Sequence, residues 1–141
     1  MVQSSFKYMP REKSQLRAIF NRKKSSKDFD FSSFDDFLNW YKSQNPICSV
    51  CGVPEELLQE LILQGKLKSK RFPLDGLITK GRARGVWLEI DRDNSDLGYS
   101  KENCSLICYL CNNDKSDVFS KSEYKEFYIN RNDYLRGLLE S

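Results

Sequence analysis

The 141-residue chain contains no histidine, which excludes an imidazole as the general base of any reaction it catalyses. It also lacks the run of roughly 18 apolar residues that a membrane-spanning helix needs. Its first residues have no apolar stretch of the signal-peptide kind, and no internal repeat is visible. We therefore expect a cytoplasmic protein with no membrane contact, in a compartment where paired cysteines more often bind metal than form disulfides.

Positive charge is concentrated in two segments of the chain, although the net charge is only +3. Residues 1–27 contain eight Lys or Arg and one acid, and residues 66–84 contain seven and one. Such segments can follow the phosphate backbone of a nucleic acid; the alternative is ordinary solvated surface. The 39% of hydrophobic residues is enough for the core of a single domain of this length.

The spacing of apolar residues predicts five helices and one pair of strands. The predicted helices lie near 11–22, after a cap at Ser32 or Ser33, from Pro54 to Gly65, from Cys108 to about Asp117, and from Ser120 or Ser122 onwards. The predicted strands are Val86–Asp91 and Asn103–Ile107, with Trp87, Glu89 and Asp91 on one face. Residues 66–84 are expected to form a loop or a poorly formed hairpin.

Four of the five cysteines form two Cys-x-x-Cys pairs, Cys48/Cys51 and Cys108/Cys111. A two-residue gap lets both sulfurs of a turn reach one ion at about 2.3 Å, so two pairs predict a closed, structural Zn²⁺ site. A redox pair or simple buried thiols are the alternatives. Cys104 is interpreted as a small buried hydrophobe, with replacement of one of the four ligands as the alternative.

The region between and around these pairs resembles the HNH, or ββα-metal, endonuclease family. The resemblance rests on Leu88-Glu89-Ile90-Asp91-Arg92, Gly98-Tyr99-Ser100, the run from Glu102 to Cys108, and Leu110-Cys111-Asn112-Asn113 with Lys115. It covers roughly residues 48–117 and is similar to a subgroup found among small phage-type nucleases and rare-cutting restriction endonucleases. It implies an α+β fold with a ββα-metal core: a basic N-terminal helical segment (1–45) and a zinc-stapled nuclease domain (46–141), in one compact unit.

The resemblance also implies roles for individual residues. Asp91 and Asn112 would ligate a catalytic Mg²⁺ or Mn²⁺, which prefers oxygen ligands. Asn103 would hold the loop shape through backbone hydrogen bonds, and Lys115 would reach a phosphate. Without the surrounding motif, Asp91 would be an ordinary surface acid at the end of a strand.

The chain departs from the family at the general base, since Arg92 stands where the family has histidine. Arginine stays protonated and is a poor base, but it can clamp a phosphate or stabilise the transition state. Tyr99 is the first candidate base, with loop packing as its alternative reading. Water activated by the metal alone is the second candidate, and Glu89 is the third.

These patterns predict a metal-dependent endonuclease that hydrolyses phosphodiester bonds in DNA. One active site in so short a chain predicts a homodimer if both strands are cut. Two alternatives stay open: a catalytically inactive zinc module that binds DNA, and a nuclease that acts on RNA or branched DNA.

Overall fold

The structure is a computed structural model that describes residues 6–25, 29–69, 71–72, 84–94, 96–115 and 131–140. Its helices and strands, in chain order, are α1 (Lys13–Lys23), α2 (Phe34–Ser43), α3 (Glu55–Leu63), β1 (Glu89–Arg92), β2 (Cys104–Ile107), α4 (Tyr109–Lys115) and α5 (Arg131–Glu140). This mixture of helices with a small sheet confirms the predicted α+β class. No helix in the described ranges is long and apolar enough to cross a membrane.

Helix α2 begins where the sequence predicts a cap. The Ser33 side chain accepts a hydrogen bond from the Asp36 backbone N–H at 3.1 Å, which satisfies one of the donors left open at a helix start. The apolar stripe that follows is buried, with Phe37 fully inaccessible to solvent. The rings of Phe20 on α1 and of Phe29 and Phe31 before α2 pack around Phe37, with ring centroids 5.3–5.9 Å from its own.

Helix α3 follows Pro54 and buries an apolar face, as predicted. Gly65 ends this region with a φ of 74°, a conformation in which a β-carbon is strained. Helix α3 also carries two buried polar side chains that hold the N-terminal segment. Gln59 exchanges two hydrogen bonds with the Met9 backbone, at 2.7 and 3.0 Å, and Glu55 accepts one from the Tyr8 hydroxyl.

The two strands pair antiparallel, with Asp91 opposite Ser105 and Arg92 opposite Cys104. The prediction that the first strand starts at Val86 was wrong, because β1 starts three residues later. The Leu88 N–H donates to the Glu55 carboxylate at 2.7 Å instead of to a neighbouring strand. Val86 and Trp87 pack in a second apolar cluster with Ile62 and Phe72 instead.

Two other predicted elements extend beyond the described residues. The expected start of the last helix at Ser120 or Ser122 falls in the range 116–130, outside the described residues, and the last described helix is α5. The expected loop or hairpin over 66–84 falls partly in 73–83, which the structure likewise does not describe. Of the two residues of α5 expected to pack inward, Leu135 is buried in the main core, whereas Tyr134 is 68% exposed, so that expectation was wrong for Tyr134.

Candidate active site and zinc centre

Four buried cysteines form one compact group. Cys48 and Cys51 lie in the turn before α3, Cys108 and Cys111 lie at the start of α4, and their sulfurs all lie within 4.8 Å of one another. The Sγ atoms of Cys51 and Cys108 are 3.8 Å apart. A tetrahedral zinc with bonds of about 2.3 Å requires sulfur–sulfur edges of about 3.8 Å, so these residues fit a Zn²⁺ ion.

The chemical surroundings of the sulfurs also suit a metal. The Cys48 Sγ accepts backbone N–H bonds from Val50, Cys51 and Cys108, at 3.3–3.5 Å, and these donors favour a thiolate. The thiolate is the form of cysteine that binds metals, and an all-thiolate set selects a soft ion such as zinc.

Cys104 lies outside this group. Its side chain is 6% exposed in the main core, and desolvation by burial raises the pKa of its thiol to about 12. It therefore packs as a small apolar residue, as predicted.

Helix α4 connects the cysteine group to the sheet. Asn112 directly follows Cys111, and its backbone N–H bonds the Cys108 carbonyl at 2.9 Å. The Asn112 side-chain amide then donates to the Glu89 carboxylate on β1 at 2.8 Å. Asn112, which directly follows a cysteine of the group, thus contacts β1, the strand that also carries Asp91.

Glu89 and Asp91 share one face of β1, because side chains alternate along a strand. Both are half-buried. The Arg84 guanidinium forms a two-pronged ion pair with Glu89, with N–O distances of 2.6 and 2.8 Å. This pair raises the pKa of Arg84. The structure therefore brings Glu89 and Asn112 together, and adds Arg84, which the sequence had indicated only as part of a basic segment.

Asn103 lies at the base of the loop between the strands. It is 8% exposed, and its amide group donates to the carbonyls of Asn94 and Gly98 at 3.0 and 2.8 Å. Its own carbonyl oxygen accepts from the Asn94 N–H at 3.0 Å. Three bonds from one buried side chain thus cross-link both ends of residues 94–98.

The ring of Tyr99 is in contact with two cations. The Arg92 guanidinium lies 4.9 Å from its ring centroid and the Lys23 ammonium lies 4.3 Å from it, both within cation–π range. The Tyr99 carbonyl also accepts the Asp30 N–H at 2.7 Å, and Phe29 forms a bridge to Tyr99. These contacts pack Tyr99 in its loop, in agreement with its alternative reading, and its role as a base stays a prediction.

Lys23 was missed as an individual site residue, although residues 1–27 had been noted as basic. It stands at the end of α1, 76 positions before Tyr99, and only tertiary packing brings the two together. The charges of Lys23, Asp91 and Asp93 all act on the Cys104 thiol, which places them in one neighbourhood. Lys115 is the last residue of α4, and its side chain lies outside the described residues.

No family model matches the chain, and no curated protein is similar to it. The structure is similar to a solved HNH restriction endonuclease, with a TM-score of 0.64. The chain accordingly has the HNH-like fold that its motif indicated, together with a four-cysteine group that could hold a metal ion. The similar structure is that of PacI, a rare-cutting enzyme described as perturbing DNA; the two are 23% identical, over 89% of this chain and 80% of that one.

Proposed function

We propose that this chain is a metal-dependent HNH-type endonuclease that hydrolyses phosphodiester bonds in DNA. The supporting observation is the hydrogen bond from Asn112 to Glu89, which joins the residue after the last zinc cysteine to the strand face that carries Asp91. A module that only bound DNA would need neither an acid nor an amide at that junction. PacI, which has the same fold, is an HNH restriction endonuclease.

In this proposal Asp91 and Asn112 hold a Mg²⁺ or Mn²⁺ ion. One carboxylate and one amide oxygen are ligands that hard cations prefer, and such a small set leaves positions for water and substrate. When bound, the ion supplies Lewis acidity at the scissile phosphate. The cysteine group, with Zn²⁺, fixes the start of α4 and therefore the position of Asn112.

The remaining site residues bind the phosphate and handle protons. Arg92 and Lys23 both contact the Tyr99 ring and would bind phosphate oxygens beside it. Tyr99 would act as the base in its phenolate form, after its own proton has passed to solvent, and would then take a proton from the attacking water. Asn103 holds the loop that carries Tyr99. Lys115 would add a phosphate contact from α4.

The substrate in this proposal is duplex DNA, bound along both basic segments. Contacts from 1–27 and 66–84 would go to the backbone, and binding would weaken steeply with salt. Cleavage of both strands with one site per chain would require a homodimer.

The test is cleavage of supercoiled plasmid by the zinc-loaded full chain with Mg²⁺ or Mn²⁺, beside an EDTA control. Asp91→Ala should abolish cleavage while zinc content and thermal unfolding stay as in the wild type. Asp35→Ala, an exposed acid on α2, is the matched control and should cleave normally. Cleavage that survives Asp91→Ala would refute the site. Zinc-loaded protein that binds DNA without cutting plasmid, RNA or branched DNA would instead support the inactive binding module.

A further inference from the structure

Glu89 is fully engaged by two partners. Its Oε1 accepts from the Arg84 Nη2 at 2.6 Å and from the Asn112 Nδ2 at 2.8 Å, and its Oε2 accepts from the Arg84 Nε at 2.8 Å. Its side chain is only 17% exposed. A carboxylate held in this way has little freedom to turn towards a water molecule.

The ion pair fixes which way the Asn112 amide points. Oxygen and nitrogen of an amide are normally assigned from their hydrogen bonds, and a carboxylate paired with arginine offers only acceptors. The NH₂ group of Asn112 must therefore face Glu89. Its oxygen is on the other branch of the planar amide, directed away from Glu89.

The arginine that holds Glu89 also contacts α4. Its guanidinium stacks on the ring of Tyr109, the first residue of α4, at 4.6 Å. Gly85 follows with a φ of 92°, and a β-carbon there would come within 2.5 Å of the Phe72 ring. Arg84 thus spans β1 and α4, the two elements that carry the proposed metal ligands.

We infer that Glu89 is a positioning residue, clamped by Arg84, which orients the Asn112 amide so that its oxygen is presented to the divalent ion. The inference rests on the proposed function, because it assigns the means by which one proposed ligand is oriented. It gives Glu89 a role in metal binding rather than in accepting a proton from water. Partners that orient metal ligands in this way typically contribute 10- to 100-fold to affinity or activity.

The test measures Mn²⁺ binding to the zinc-loaded full chain without DNA, from the loss of the electron paramagnetic resonance signal of free Mn²⁺. Glu89→Gln should raise the Kd for Mn²⁺ at least about 10-fold, with one zinc per chain retained. Glu56→Gln, an exposed acid on α3, makes the same chemical change and should bind as the wild type does. Arg84→Lys keeps the charge but loses the fork, so it should weaken binding in the same direction but less.

A reversed pair gives a second, charge-matched arm. In Glu89→Gln/Asn112→Asp the new glutamine can donate its NH₂ to the new carboxylate, whose other oxygen faces the ion. The double variant has the net charge of the wild type and should recover most of the Mn²⁺ affinity lost in Glu89→Gln. No recovery would overturn the inference.

The other outcomes separate this inference from the proposed function. Wild-type Mn²⁺ affinity in Glu89→Gln together with lost cleavage would make Glu89 a participant in the chemistry and overturn the positioning role alone. Tighter Mn²⁺ binding in Arg84→Lys would mean that Glu89 ligates the ion directly. That result would overturn the positioning role of Glu89 but not the proposed function. A wild-type chain that binds no Mn²⁺ at millimolar concentration would refute the metal site of the proposed function.

Discussion

Replacing Cys48 with alanine tests whether the four-cysteine group binds zinc, and the same replacement at Cys104, a buried cysteine outside the group, is the matched control. Cys48→Ala and Cys104→Ala remove the same sulfur atom from sites that are 2% and 6% exposed. Cys104 has its packing and one backbone hydrogen bond with Ser100 to lose, so its variant should cost about 1 kcal/mol, or roughly 4 °C in Tm for a domain of this size. The Cys48→Ala change also leaves three backbone N–H groups without their sulfur acceptor.

The larger effect at Cys48 comes from the metal. A structural zinc contributes about 10–16 kcal/mol of apparent binding free energy, against a net folding free energy of about 5–15 kcal/mol for an ordinary domain. A variant that loses the ion should therefore lose cooperative unfolding, or melt tens of degrees lower. Zinc per chain, by elemental mass spectrometry, and thermal unfolding by circular dichroism measure both effects. One zinc in Cys48→Ala, with a Tm equal to that of Cys104→Ala, would refute the assignment.

Three further variants test other parts of the structure. Burial raises the pKa of Glu55, so folding stability that is present below its unfolded pKa of about 4.3 should be lost as the pH rises through its folded pKa. Glu55→Gln should flatten this pH dependence of the unfolding free energy, measured in urea. The same pH dependence in Glu55→Gln and in the control Glu56→Gln would contradict the prediction. Lys23→Gln should make the salt dependence of DNA binding shallower by about one unit of log–log slope, while Lys42→Gln, exposed on α2, should leave it unchanged; equal slopes would remove Lys23 from the phosphate site. Gly85→Ala should destabilise by at least about 1 kcal/mol through its positive φ and the Phe72 contact, and a Tm at or above that of the wild type would contradict this.

Local sequence signals were sufficient for the helices and for the cysteine group. Ser33 and Pro54 mark helix starts because a cap or a fixed φ acts within a few residues. The start of β1 could not be predicted in the same way, since alternation continues through Val86 and Trp87. Those two residues instead complete a second apolar cluster, and Leu88 bonds to a buried carboxylate on α3. Whether Val86 and Trp87 join the strand or the second apolar cluster depends on contacts with chain segments far apart in sequence.

The sequence by itself determined which four cysteines form one group and the order of the segments around them, because two-residue cysteine gaps and strand alternation are short-range geometry. Only the tertiary structure decided what surrounds them. The ion pair of Arg84 with Glu89 and the hydrogen bond of Glu89 with Asn112 together require α4 to pack on β1. The contact of Lys23 with Tyr99 requires the end of α1 to reach the loop between β1 and β2. Such partners depend on how packed elements are oriented, which residue spacing along the chain does not encode.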